Sequence, residues 1–213
     1  FAVMAAAPQH VFQILTKRPV RMSILLGDHF PREIRAAAED LTDDWYQADA
    51  NVVGKGVGAI RALESHVIDH EPPWPLPSVW IGVSVEDQQR ADERIPLLLQ
   101  TPAAVRFISA EPLLGPVDLS AVPAWLTHAS QWPALHWCIV GGESGPGARP
   151  CDLDWIRSIV AQCHAARVPA FVKQVGAKPG RYLDINSHDG SREWFGVHLH
   201  DRKGGDPSEW PED

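Results

Sequence analysis

Apolar residues along this chain gather in short runs that stop abruptly at polar ones, and the habit repeats five times. His10–Leu15 ends in Thr16-Lys17-Arg18, Ser78–Val85 ends in Glu86-Asp87, and Val105–Ala110 ends in Glu111-Pro112. Trp137–Val140 ends in Gly141-Gly142-Glu143-Ser144, and Pro169–Val172 ends in Lys173-Gln174. Near-continuous apolar runs of this length, without strict alternation, suit strands buried on both faces, as in a parallel sheet. Between them the period changes to that of a helix. Gln88–Leu99 is one such stretch; another opens at Asp152, a good N-cap, and places Leu153, Ile156, Val160 and Cys163 on one face. The last three strand centres lie about 32 residues apart and the first pair of the last four about 26, the spacing of βαβ units.

The pattern predicts five parallel strands ending near Leu15, Val85, Ala110, Val140 and Val172, adjacent in that order with helices outside. The fold class is therefore α/β, a partial, TIM-like (β/α) barrel. A closed eightfold barrel takes about 250 residues, and five units in 213 residues do not complete one. Phe1–Ala7 reads as the tail of a helix with nothing capping its start, so the expectation is a single barrel-type domain truncated at both ends. Residues 20–77 carry no strand pattern. Helical spacing over Arg32–Gln47 and Val57–Ile68, closed by the stiff Pro72–Pro77 stretch, marks 31–76 as a helical insertion. His66 and His70 share a helix face without an H-E-x-x-H context, which favours a solvated face over a metal site. After Gly176 the chain turns Gly-, Asp- and Trp-rich, with an edge strand expected over Trp194–His200.

Composition narrows the function. Apolar residues at 45% and charged residues at 22% are ordinary for a globular protein, while nine Trp and 19 Pro suggest large anchors and rigid connections. A net charge of −8 argues against nucleic acid or an anionic membrane as partner. Cys138, Cys151 and Cys163 are odd in number and too widely spaced for a C-x-x-C motif, so a reducing compartment is the simplest reading. No apolar run reaches the ~18 residues of a membrane span and no signal peptide is visible. The expectation is a cytoplasmic protein without membrane contact, whose Trp-rich tail is open to a protein partner. Cys138 and Cys163 are expected to be buried, and Cys151, in a Pro-flanked loop, to be the reactive thiol.

In a (β/α) barrel the loops after the strands build the site. Thr16, Lys17, Glu86, Glu111, Glu143 and Lys173 would then converge at one mouth. Each alone reads equally well as a solvated loop residue; the shared habit of five strand ends is what sets them apart. Lys17-Arg18 suits an anion or a plain turn. The glycines around Glu143 admit either close ligand approach or a tight connection. Glu111 and Glu143 could divide acid and base roles if their environments split their pKa values, and Lys173, if desolvated, could form a Schiff base. The competing reading is that these groups merely pair off as salt bridges between strand ends.

Five motifs together carry a family resemblance: Phe12-Gln-Ile-Leu-Thr-Lys-Arg-Pro19, Trp80-Ile-Gly-Val-Ser-Val-Glu86, Arg106-Phe-Ile-Ser-Ala-Glu-Pro-Leu-Leu-Gly115, Val140-Gly-Gly-Glu-Ser-Gly-Pro-Gly-Ala-Arg-Pro150 and Phe171-Val-Lys-Gln174. With Asp201-Arg-Lys-Gly-Gly-Asp206 and Trp210-Pro-Glu-Asp213, they resemble the phage gene-product thirty-seven/sixty-eight family, a domain of unknown function. Members of that family usually begin with a three-cysteine segment like the iron–sulfur motif of radical S-adenosylmethionine enzymes. That segment is not in this chain, and its three cysteines do not stand in for it, so no metal ligand is assigned. What the resemblance implies is a radical S-adenosylmethionine-type enzyme whose iron–sulfur cluster comes from an upstream segment. Gly141, Gly142 and Glu143 resemble the Gly-Gly-Glu that holds the methionine ammonium. Lys17, Arg18 and Arg149 would then serve carboxylate or phosphate groups, with Thr16, Glu86, Ser144 and Gln174 lining the binding site. The catalytic candidates are Glu111, Glu143 and Lys173, and the substrate is unknown. The alternatives are a cluster-free barrel hydrolase or lyase using the same Glu and Lys residues, and a non-catalytic phage-related binding protein.

Overall fold

A computed structural model describes residues 1–27, 30–46, 58–59, 61–70, 72–120, 135–186, 191–201, 203 and 205–210. In chain order the elements are α1 (Ala2–Ala5), β1 (Phe12–Thr16), α2 (Pro19–Leu25), α3 (Phe30–Tyr46) and a π-helical turn (Glu64–Ile68). Then come β2 (Val79–Ser84), α4 (Gln88–Gln100), β3 (Val105–Ala110), β4 (Trp137–Gly141), β5 (Cys151–Asp152) and α5 (Leu153–Ala165). The chain closes with β6 (Ala170–Gln174), β7 (Pro179–Asn186), β8 (Ser191–Gly196) and a 3-10 turn (Pro207–Glu209).

The central sheet holds five parallel strands in the order β1-β2-β3-β4-β6, flanked by helices, and does not close into a barrel. The strand positions and their order agree with the apolar pattern. Phe107 lies opposite Trp137 and Ile108 opposite Cys138, while Ile139 lies opposite Phe171. Side chains therefore sort cleanly by face. Cys138 turns to α5, whose Leu153, Ile156, Ile159 and Cys163 are buried, and its thiol, beside that of Cys163, is raised by that neighbour and by burial. Ile159 takes the core place that the spacing assigned to Val160. Asp152 caps α5 as expected, its carboxylate accepting from the Asp154 N–H at 3.0 Å. Phe107, Trp137 and Phe171 line the opposite face, with ring centroids 6.0 and 6.5 Å apart. Beneath them Gly82 has no room for a side chain, since a Cβ there would lie 2.5 Å from the Phe107 ring.

The chain divides into two compact units. The first comprises Phe1–Ile14, Arg18–Ile81 and Gln100–Val105, so β1, β2 and β3 begin in it and end in the second. Its core is built by Ile34 and Ala38 of α3 with Leu63 and Val67, and Phe1, Phe30 and Trp74 gather their rings 5.0 to 6.3 Å apart. Of residues 31–76, the described positions up to Ile68 are helical and those from Asp69 on are not, and no strand occurs among them. His66 and His70 turn back on their own helix, Nδ1 of His66 to Ser65 Oγ and Ala62 O, Nδ1 of His70 to Ser65 O.

The second unit adds a sheet that the apolar pattern does not reveal, ordered β5-β7-β8. β7 and β8 form an antiparallel hairpin in which Tyr182 opposes Trp194. The edge strand expected over Trp194–His200 lies earlier, at Ser191–Gly196. Cys151 is corrected as well. It pairs in β5 and is only 1% exposed. Burial, with the Asp152 carboxylate nearby, pushes its thiol up to about 12, so it is no reactive loop cysteine. Residues 121–134, between β3 and β4, lie outside the described residues. No helix among the described residues is long and apolar enough to cross a membrane.

Candidate functional site

The rim where the strands of the second unit end carries three charged groupings. The first is built on β2. Glu86 is 7% exposed and lies between Lys17 Nζ at 2.6 Å and Arg94 Nη1 at 2.9 Å. Arg94 also donates to the Ser84 carbonyl at 2.9 Å, tying α4 to the end of β2. Burial alone would push the Glu86 carboxyl up, but hydrogen bonds from Lys17 and the backbone, with the Arg94 charge, hold it below its ordinary value. Arg94 gave no signal in the sequence, where it is one polar residue on a helix. Thr16 is half-buried at the end of β1, and Arg18 is exposed at the start of α2.

The second grouping depends on an irregularity in β6. Val140 lies opposite Val172 but Gly141 lies opposite Gln174, so Lys173 is an extra, bulged residue. Neighbouring strand residues normally face opposite sides; the bulge brings Lys173 and Gln174 to one carboxylate. Lys173 Nζ meets Glu111 Oε1 at 3.0 Å and Oε2 at 3.1 Å, and Gln174 Nε2 donates to Glu111 Oε1 at 3.0 Å. Gln174 Nε2 also reaches the Gly142 carbonyl at 3.1 Å. Lys173 remains 53% exposed and Glu111 17%. A lysine so open to water is not desolvated, which a Schiff-base amine requires.

The third grouping is Glu143 with Arg149. The guanidinium clasps the carboxylate through Nε and Nη2, both at 2.7 Å, and the Arg149 N–H adds a bond at 2.9 Å. These hydrogen bonds draw the Glu143 carboxyl down to about 2 and raise Arg149, to which the Glu86 charge also contributes. The carboxylate sits at the foot of loop 144–148, in which Gly145 and Gly147 have φ of +93° and +78°. Ser144 is exposed in that loop. Beside the loop lies a cleft of about 450 Å³ lined by Gly145–Ala148, Ala177, Lys178, Leu199 and Asp201.

The structure thus brings Glu111, Lys173 and Gln174 together and ties Lys17 to Glu86, while Glu143 has Arg149 as its own partner. Gly141 and Gly142 have a packing cause. A Cβ on Gly141 would lie 2.9 Å from the Gln174 carbonyl, and one on Gly142 would strike Val175 O and come within 2.9 Å of the Gly176 Cα. The two chain segments simply run too close for a side chain. Among the described residues no group of three or more His, Cys, Asp or Glu is placed to hold a metal ion.

No curated protein and no solved structure matches the chain. One family model, described as a protein of unknown function (DUF5131), matches residues 1–202, and the chain belongs to that family.

Proposed function

We propose that the chain is the part of a radical S-adenosylmethionine-type enzyme that binds the cofactor's methionine head, with Glu143 taking the ammonium and Arg149 the carboxylate. The observation that carries the proposal is the bidentate, solvent-open Glu143–Arg149 pair, 28% and 55% exposed, at the end of a central parallel strand. An α-amino acid presents an ammonium and a carboxylate side by side. Inserted between these two residues it replaces one ion pair with two, and because both partners already face water the exchange costs little desolvation. The likeness of Gly141-Gly142-Glu143 to the radical-enzyme motif supports the glutamate's role, although the two glycines serve packing. A cluster does not fit the described residues. Cys138 and Cys163 are fully buried against each other and Cys151 lies in a separate sheet, so the cluster would come from elsewhere. Bound cofactor would supply one-electron chemistry; the residues here bind and orient. The kinship with the phage family belongs to this same proposal.

A second reading, a cluster-free hydrolase, draws on Glu111. Its carboxylate is poised at the rim with a lysine and an amide, although the exposed Lys173 speaks against a lyase that works through a Schiff base.

Calorimetry separates the roles. S-adenosylmethionine should bind, and its decarboxylated analogue, which keeps the ammonium, should bind more weakly. Arg149→Gln should weaken the first tenfold or more and leave the second unchanged, whereas Glu143→Gln should weaken both, with the fold retained by circular dichroism. If Arg149→Gln affected both ligands alike, or neither ligand bound, the head-group assignment would fall.

A further inference from the structure

On the sheet face opposite α5, one row of aromatic rings passes from burial into solvent. Phe107 is 2% exposed, Trp137 is half-buried, and Phe171 is 51% exposed on the edge strand β6. Phe171 belongs to the same face as Ile139, and two residues further along β6 the bulged Lys173 grips Glu111. A phenylalanine left half in water at the end of an aromatic row offers ring surface to a flat ligand. Above it, the charged cluster has bonding capacity left. Glu111 Oε1 accepts from both Lys173 and Gln174, but among the described residues Oε2 accepts from Lys173 alone. A carboxylate oxygen takes two such bonds, and an ammonium has three N–H groups. An acceptor and a donor therefore stand side by side at the edge of an aromatic floor.

We propose that this face is a subsite for the nucleobase of a free nucleoside substrate, its ring stacked on Phe171 and Trp137. The amino group of the base donates to Glu111 Oε2 and the adjacent ring nitrogen accepts from Lys173. Adenine and cytosine both present that donor–acceptor edge. A free nucleoside suits the site better than a nucleic-acid strand, because the chain carries a net charge of −8. A regular strand would leave Lys173 on the Phe171 face and turn Gln174 away from Glu111, so the bulge is what adds the amide to the cluster. No residue of this subsite belongs to the Glu143–Arg149 pair, and because S-adenosylmethionine itself carries an adenosine, cytidine binding and the Phe171→Ala loss, rather than adenosine binding alone, separate the two assignments.

Ligand-detected saturation-transfer NMR on the whole chain tests it, with adenosine, cytidine, N6,N6-dimethyladenosine and ribose as probes. Adenosine and cytidine should bind and ribose should not. The dimethylated base keeps its ring but loses the amino donor, and should bind at least fivefold more weakly than adenosine. Phe171→Ala alters an exposed side chain, so the fold should survive, as circular dichroism would verify. It should weaken adenosine roughly tenfold to a hundredfold, the equivalent of losing one base–aromatic stack. The proposal is overturned by binding of ribose equal to adenosine, by no nucleoside binding at millimolar concentration, by unchanged affinity in Phe171→Ala, or by dimethyladenosine binding as well as adenosine. Binding confined to single-stranded oligonucleotides would equally reject a free nucleoside as occupant.

Discussion

Single residues on this scaffold differ in how far their surroundings move them, and Glu143 is moved furthest among the rim carboxylates that the sequence singled out. Its carboxyl falls to about 2 because three donors of Arg149 converge on it, an arrangement invisible in a sequence where the two are merely six apart. A carboxyl whose folded value is depressed contributes stability that is complete above its ordinary value of 4.5 and is lost as pH falls toward 2. A pH titration followed by NMR should place the Glu143 midpoint near 2, and Arg149→Met should return it toward 4.5. A midpoint already near 4.5 in the unaltered protein would mean the clasp does not persist in solution. The cysteines make the opposite point. Cys138 and Cys163 were legible as core residues from their apolar spacing. Cys151 was misread, because nothing in Arg149-Pro150-Cys151 announces that the segment pairs with β7. All three are buried, so an aromatic disulfide reagent should label none of them in the native state and all three after denaturation. Rapid labelling of Cys151 alone would restore the loop reading.

At the scale of elements, the five parallel strands were readable because strands covered on both sides have nearly every position apolar, a pattern that needs no partner to be recognised. The hairpin β7–β8 was not readable, for the converse reason. Its Gly180, Asp184 and Arg192 give no continuous apolar run, and Tyr182 and Trp194 become a pair, rings 4.8 Å apart, only once the strands meet. The bulge at Lys173 was equally hidden, since a register shift belongs to two strands at once. Two substitutions test the element contacts. Gly142→Ala puts a Cβ against the Val175 carbonyl, where backbone must move on both sides, and should cost about 1–3 kcal/mol in denaturant unfolding. Arg94→Met leaves the nearly buried Glu86 with Lys17 as its remaining cation and unties α4 from Ser84. Because Lys17 stays paired with Glu86, the substitution should cost about 1–3 kcal/mol, less than the loss expected when a buried charge is left with no partner. A loss below 1 kcal/mol would show that Lys17 and water suffice.

At the scale of the whole molecule, the chain's division into two units assigns residues 31–76 a job. They supply Ile34, Ala38, Leu63 and Val67 to the core of the first unit, each 7% exposed or less. Removing them should abolish the protected amides of that unit in hydrogen exchange while those of β3, β4 and β6 survive; full protection throughout would show the segment to be dispensable. The chain's own residues determined a good deal. Continuous apolar runs dictated buried parallel strands, their spacing dictated crossovers between neighbours, and the Asp152 cap dictated where a helix starts. These are local properties, decided by hydrophobic periodicity and by hydrogen bonds within a few residues. Tertiary structure alone decided which charges share a partner. Glu111 lies 62 residues from Lys173, and their 3.0 Å contact exists because a single strand, β4, lies between β3 and β6 and register sets both residues on the Phe107–Phe171 face. Pairing across such a distance depends on register and curvature, which no single segment encodes, and so the strand-end residues could be foreseen while their groupings could not.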